Sequence, residues 1–266
     1  MRFHGISKSI LCYNWLAFLL KAQGEIAIMQ NQQIRFEMNV TICFKIPGTP
    51  IAYWASDAII NTFVNPLLSS LAFSDGQILT GNNDKYIRFI WEVSKPLISS
   101  DGHWMFHAKG GEFRKWYGNL DSVVAWDKES ISHFKKDRIA RFPKDEILFR
   151  SGITWNLISS YPILGVRFLP STQTFNKAAA SLLFYSDKNI FYVLGFVNTI
   201  VATKLMRILN PTLNTNIKDV LSLPIILNGV GMGERVIEIV KGNICQSKLD
   251  WDAFETSWDF KKHPLI

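Results

Sequence analysis

Cysteine is scarce in this chain, with three among 266 residues. Cys12, Cys43 and Cys245 have neither the spacing of a disulfide framework nor that of a C-x-x-C metal or redox site, which predicts a reducing, cytoplasmic setting. Long apolar runs are lacking as well. The mostly apolar stretch 10–20 is shorter than the about 20 residues that span a bilayer, so we expect a buried or amphipathic helix there, neither a signal peptide nor a membrane anchor.

Signatures of catalysis are also lacking. The chain has no GxxxxGK[ST] phosphate loop, no GxSxG elbow and no consecutive prolines. Residues 229–233 read GxGxG, but too little chain follows them to complete a doubly wound sheet, so we expect a loop without a cofactor. His103 and His107 have no third ligand nearby, and their neighbours indicate a strand or turn, so we expect no metal. A nuclease centre assembled from dispersed acids and a lysine stays an alternative.

The apolar pattern predicts an α+β fold of short strands and a few helices. We expect a helix that begins at Ser56 or Asp57 and ends before Asn65-Pro66. Strands are predicted over residues 86–93 and within residues 104–126, and a short helix followed by a strand within 216–227. Residues 189–209 give the clearest helix, ended by Asn210-Pro211. A basic helix is predicted to end before Pro143.

Positive charge is in modest excess, 29 cationic against 22 acidic residues, for a net charge of +7, and this favours an anionic partner. The cations cluster in three segments: residues 80–88 (TGNNDKYIR), residues 109–119 (KGGEFRKWYGN) and residues 135–141 (KKDRIAR). Lysine and arginine neutralise phosphates, arginine and asparagine read base edges, and aromatic rings stack on bases.

Each cationic segment also has a plainer interpretation. The basic helix is typical of a solvated face, and the glycine pair Gly110-Gly111 is typical of a hairpin turn. Trp91, Trp116 and Trp126 are expected in the core. Taken together, basic turns on a β-rich scaffold indicate nucleic-acid binding as one hypothesis among others.

Several longer strings resemble one protein family. They are "IPGTPIAYWASD", "ILTGNNDKYIRFIWEVS", "KGGEFRKWYGN", "GITWNLISS", "ILNPTLNTNIKDVLSLPII" and "DWDAFETSWDFKKHPL". From about residue 47 onward the chain resembles the C-terminal half of the adenine-specific DNA methyltransferases of BREX phage-defence systems, which are relatives of type IIG restriction-modification enzymes. The resemblance implies a DNA target-recognition domain and double-stranded DNA as the partner.

The same resemblance shows where this chain departs from the family. The S-adenosylmethionine-binding and NPPY motifs of the family lie N-terminal to the similar region, and nothing here matches them. The family turn reads TGDND, and this chain has Asn82 at the first acid. We therefore expect a fragment: an unmatched segment 1–46 with an apolar helix, a target-recognition-like domain 47–227 and a truncated tail 228–266.

The leading hypothesis is a DNA-recognition fragment with no catalytic, cofactor or metal residues of its own and no independent methyl transfer. Alternatives are a subunit completed by a separate methyltransferase chain or by other defence-system proteins, a non-functional remnant, and a metal-dependent nuclease. The residues expected to meet DNA are polar, glycine, cationic and aromatic: Thr80, Gly81, Asn82, Lys85, Arg88, Lys109, Gly110, Gly111, Arg114, Lys115, Trp116 and Tyr117.

Overall fold

The computed structural model of the chain describes residues 40–52, 54–160, 163–226, 232–263 and 265–266, so the apolar stretch 10–20 lies outside the described residues. The chain forms two compact units, residues 1–64 and 65–266. In the first, a 3-10 helix, Val40–Lys45, precedes helix α1, Asp57–Asn61, and a 3-10 turn, Thr62–Val64. Ser56 Oγ accepts a hydrogen bond from the Ile59 amide, so the predicted N-cap is confirmed.

The second unit contains two four-stranded sheets. Sheet I has the strand order β1, β8, β5, β6, and all its pairs are antiparallel. Sheet II has the order β2, β4, β3, β7, with β7 parallel to β3 and the other pairs antiparallel. The bounds are β1 Ala72–Phe73, β2 Ile87–Phe89, β3 Trp104–Ala108, β4 Ser122–Ala125, β5 Gly152–Asn156, β6 Val166–Leu169, β7 Thr174–Phe175 and β8 Ala179–Phe184.

Six helices of the second unit accompany these sheets. Helix α7 is the longest and packs on α4, where a Cβ added to Gly195 would lie 2.9 Å from a Val240 side-chain carbon. The bounds are α2 Asn83–Tyr86, α3 Lys128–Lys136, α4 Ile190–Val197, α5 Ile200–Leu209, α6 Ile217–Leu221 and α7 Met232–Trp251. The α+β class predicted from the sequence is confirmed.

Three apolar clusters hold the second unit together. One joins sheet II to α3 through Phe134, which packs with Met105 and Val124. A second lies between the two sheets and includes Leu169 and Leu183 of sheet I with Ala108 and Phe175 of sheet II. The third surrounds Ile90, Ile98 and Val123, and Trp258 of the C-terminal segment meets the Phe106 ring edge to face there, 5.1 Å between centroids.

Four predicted elements differ in the structure. The helix predicted over 189–209 is two helices, α4 and α5, bent by 84° at residues 198–199. The basic helix ends at Lys136, because the Asp137 carboxylate accepts the Ile139 and Ala140 amides and turns the chain. The strand predicted over 86–93 is only β2, followed by a 3-10 turn, Ile90–Glu92. The loop predicted at 228–236 is helical from Met232 onward, while residues 227–231 lie outside the described residues.

Candidate nucleic-acid interface

The first predicted segment, residues 80–88, forms a capped turn at the start of β2. Asn82 Oδ1 accepts the Lys85 amide at 3.1 Å and so caps α2, which makes Asn82 a structural residue of the turn. Thr80 is buried, and its hydroxyl donates to Asn83 Oδ1 at 2.8 Å. Gly81 is exposed with φ +73°, a conformation that favours glycine. The turn itself is therefore rigid, and its exposed backbone lies at Gly81.

The two cations of this segment are oriented differently. Arg88 is half-buried, and its Nη1 donates to the carbonyls of Asp84 at 2.5 Å and Ile87 at 2.7 Å. Lys85 is exposed, with its Nζ 4.8 Å from the centre of the Tyr86 ring. A hydrogen bond with the Tyr86 side chain raises the pKa of Lys85, so this side chain is fully charged at neutral pH. Lys85 is the cation of the segment that faces solvent.

The third basic segment packs against the first. Leu79 and Arg141 exchange backbone hydrogen bonds of 3.0 and 2.8 Å, and the His133 ring stacks on Tyr86 with 4.9 Å between centroids. A Cβ added to Gly81 would lie 3.3 Å from Asp137 Oδ1, so the chain following α3 is in contact with the turn. Four exposed cations surround this contact at one end of sheet II, and we call them the basic turn surface: Lys85, Lys135, Lys136 and Arg138.

Nearby acids are only partly available to neutralise this surface. The Asp137 carboxylate is occupied by two backbone amides, which lower its pKa, and Asp75 pairs with Arg141 at 2.9 Å. Glu129 lies close enough to Lys85 to raise the pKa of that amine slightly. Within the described ranges, no ion pair involves Lys136 or Arg138. The surface therefore keeps positive charge that is available to an anionic ligand.

The second predicted segment, residues 109–119, packs tightly onto the protein itself. A Cβ added to Gly111 would lie 2.8 Å from Asn119 Nδ2, and one added to Gly110 would lie 3.3 Å from the Ala178 carbonyl. The glycine pair therefore permits close approach of the chain to its own neighbours. Lys109, half-exposed, follows β3 directly.

Two cations of the second segment already have partners. The Arg114 guanidinium lies 4.8 Å from the Trp251 ring and 3.2 Å from the Asp250 carboxylate, both on α7. Lys115 Nζ donates to the Asn198 carbonyl at 2.8 Å, and burial lowers the pKa of Lys115. Both side chains thus fasten the segment to the helices beside it.

The two aromatic residues of this segment are held as well. Trp116 has φ +71° and forms a parallel bridge with Arg167 of β6. Tyr117 is half-buried beneath the Lys248 ammonium, 5.4 Å from its ring, and burial raises the pKa of the phenol. The expected core position is confirmed for Trp126 and wrong for Trp91, which is 53% exposed and stacks on Phe89 at 4.5 Å.

The structure separates the first and second predicted segments. Ile87 and Met105 both pair with Val124, so β2 and β3 lie level on either side of β4. Residues 80–86 come before that level and Lys109 lies four residues beyond it, about 13 Å along the strand. The predicted residues therefore lie at opposite ends of sheet II, and only the first segment joins the third.

Comparison with known proteins supports the resemblance found in the sequence. The chain is 32% identical over 231 residues to the adenine-specific methyltransferase BrxX of Escherichia coli O9:H4 (strain HS), covering 84% of this chain and 18% of that protein. It is 29% identical over 265 residues to the adenine-specific methyltransferase PglX of Lacticaseibacillus casei (strain Zhang), covering 92% of this chain and 22% of that protein. The chain is a relative of adenine-specific methyltransferases. It spans about a fifth of the length of each, and no family model matches it.

One residue that the sequence analysis missed stands out in this methyltransferase relative. Arg167 on β6 is 1% exposed, and its Nη2 donates to Asn156 Oδ1 at 3.0 Å. Burial and the nearby charge of Arg114 lower the pKa of Arg167 to about 10, so the guanidinium is still charged at neutral pH. The available signal was an isolated arginine within the apolar run ILGVRFLP, residues 163–170.

Neither a metal cluster nor a single membrane-spanning helix occurs among the described residues. There, no group of three or more histidine, cysteine, aspartate or glutamate side chains could hold a metal ion. His107 lies on β3, where its Nδ1 is 2.8 Å from the Thr174 hydroxyl, so the strand interpretation of this pair is confirmed. One sharply bent helix pair, Asp187–Val197 with Ile200–Leu209, reaches the length and composition of a membrane span only when the two helices are combined.

Proposed function

We propose that this chain is the DNA-recognition part of a BREX-type adenine-specific DNA methyltransferase and that it does not transfer methyl groups alone. The similarity to BrxX and PglX supports the family. The observation that carries DNA contact is the basic turn surface, where two cationic segments distant in sequence meet around Gly81. The recognition role applies to the chain as a domain of a larger enzyme, and methyl transfer requires the rest of it.

Phosphate binding follows from the geometry of the basic turn surface. Lys136 and Arg138 flank Asp137, whose carboxylate is bonded to the backbone, so the two cations face solvent on either side. Gly81 has no side chain and lies exposed beside them, so a phosphate can approach the backbone closely. Such contacts position DNA without reading its sequence, and each one releases counterions.

The test measures duplex DNA binding by fluorescence anisotropy while salt is raised from about 50 to 200 mM. The variant Lys136→Gln with Arg138→Gln removes two cations from the basic turn surface. Each lost phosphate contact should reduce the log-log salt slope by about 0.9, so wild-type affinity should fall about twelvefold more than that of the variant over this range. The matched control, Lys188→Gln with Lys204→Gln, removes two exposed cations elsewhere and should keep more of the slope.

An unchanged slope in the Lys136 and Arg138 variant, or an equal loss in the control, would show that bulk charge and not this surface governs binding. Folding of each variant is checked by circular dichroism, since all four side chains are exposed. A folded wild-type chain that does not bind DNA at low salt would contradict the proposed function.

A second candidate is a methyltransferase subunit that works with a separate chain. The observation that favours it is the share of the relatives covered, 18% of BrxX and 22% of PglX. The missing partner would supply the S-adenosylmethionine-binding and NPPY motifs. Mixing this chain with a protein that carries those motifs should restore adenine methylation of DNA, and a mixture no more active than its parts would contradict this candidate.

A further inference from the structure

Arg167 carries a buried charge with few partners. The residue lies on β6 and is 1% exposed, and its Nη2 is bonded to Asn156 Oδ1. Nε and Nη1 have no hydrogen-bond partner among the described residues. Most of the N–H donors of this guanidinium are therefore unused, although buried donors in proteins are almost always bonded.

The surroundings of Arg167 supply no counter-charge. Thr154 faces it across the strand pair, and Ser181 follows on β8, so both neighbours along the sheet are neutral. Their hydroxyls donate to the carbonyls of Ala180 and Ala179. Within the described residues no carboxylate pairs with Arg167, and the nearest charged influence on it is Arg114, of the same sign. A buried charge without a partner is strongly unfavourable, so an arginine here is not explained by stability.

A thin, exposed turn covers this guanidinium. Gly111 and Glu112 are exposed, and Asn156 Nδ2 donates to their carbonyls at 2.5 and 3.1 Å. Asn119 Nδ2 also donates to the Glu112 carbonyl, at 2.8 Å. Because the Asn156 amide nitrogen is held by the turn, its oxygen must face Arg167. One asparagine thus connects the exposed turn to the buried charge, and displacement of the turn exposes the guanidinium.

We propose that Arg167 is a receptor for a phosphate group, which it binds when the turn at Gly111 and Glu112 is displaced. The unused N–H donors of the guanidinium bind the phosphate oxygens, and the added negative charge offsets both Arg167 and the adjacent Arg114. Two sources share this chemistry: a backbone phosphate of DNA and free inorganic phosphate. The DNA source rests on the proposed function, whereas the phosphate chemistry does not.

Thermal unfolding of the whole chain in phosphate and in chloride at equal ionic strength tests the receptor. Wild-type protein should show a saturable rise in Tm with phosphate, about 3 to 6 °C at ten times the Kd. Arg167→Met should abolish this rise and should be at least as stable as wild type in chloride, because it removes an unpaired buried charge. The matched control Arg150→Met removes an arginine that does have partners, the Phe184 carbonyl and the Phe73 ring, and should lose stability but keep the phosphate response.

Several outcomes would overturn the receptor. They are a wild-type Tm that phosphate does not raise, a phosphate response that persists in Arg167→Met, and an Arg167→Met protein that is less stable than wild type in chloride. If Arg167→Met does not fold, Arg167→Lys decides: a weakened phosphate response supports the receptor, and an unchanged response overturns it.

Duplex DNA binding distinguishes the two sources of phosphate. If the ligand is a backbone phosphate, Arg167→Met should reduce the log-log salt slope by about 0.9. If Arg167→Met abolishes the phosphate response but leaves DNA binding and its slope unchanged, the ligand is free phosphate. Failure of wild type to bind DNA contradicts the proposed function alone, because the phosphate response is measured without DNA.

Discussion

Replacement of Asn198 by alanine should strongly destabilise the second unit. Asn198 lies at the bend between α4 and α5 and is 6% exposed. Its Oδ1 accepts from the Val166 amide at 3.1 Å, and its Nδ2 donates to the carbonyls of Val166 at 2.8 Å and Leu194 at 3.2 Å. Its side chain therefore extends the backbone pairing of β6 on the side away from β5.

The magnitude follows from these contacts. Each hydrogen bond contributes about 0.5 to 1.5 kcal/mol net, and Asn198→Ala also leaves the buried Val166 amide without its side-chain acceptor. The sum predicts a loss of about 2 to 4 kcal/mol in the free energy of unfolding. Because only packing at one point changes, the denaturant m-value should stay constant while the midpoint falls.

Urea unfolding followed by tryptophan fluorescence measures this loss. The matched control is Asn189→Ala at the start of α4, where the asparagine side chain makes no capping hydrogen bond and the change should stay within about 0.5 kcal/mol. If the two variants unfold at the same urea concentration, the bend is not held by the Asn198 side chain and the reasoning is refuted.

Three further predictions concern single residues. Burial lowers the pKa of His107 to about 3, so the unfolded chain binds one more proton below about pH 6.5; stability should fall by about 1.4 kcal/mol per pH unit between those values, and His107→Gln should flatten that fall where the exposed His103→Gln does not. Asp127→Ala removes the cap of α3 and should cost about 1 kcal/mol at pH 7 and less at low pH, because the pKa of Asp127 is lowered in the fold and its stabilisation is lost as pH falls through that pKa; equal costs at both pH values would contradict this. Gly118→Ala should lower Tm, since φ is +120° and the new Cβ would lie 2.7 Å from Arg114 Cδ; an unchanged Tm would show that the segment yields freely.

Local rules predicted part of the fold correctly. Ser56 was a predicted cap, and the cap is formed; residues 104–126 were expected to hold short strands, and β3 and β4 lie there. These succeed because a cap and a strand depend on neighbouring residues. The single helix over 189–209 was wrong because Asn198 is recruited by Val166, a partner 32 residues away, which no local pattern reveals.

The candidate site depended even more on distant contacts. The sequence indicated three basic segments without showing that the first and third meet around Gly81 while the second is fastened to α7 through Arg114 and Trp251. Arg167 looked like one residue of an apolar strand, and its lack of a counter-charge becomes visible only when Thr154 and Ser181 are known to be its neighbours. Composition indicated the sign of the charge, and tertiary pairing decides where it is concentrated.

Binding of the wild-type chain to a labelled duplex, followed by fluorescence anisotropy as salt rises from about 50 to 200 mM, tests the central claim most directly. The account predicts measurable affinity at low salt and a steep log-log slope, with several phosphates neutralised at once. A folded, monodisperse chain that shows no binding at about 50 mM salt, or binding that does not depend on salt, would contradict DNA recognition by this chain.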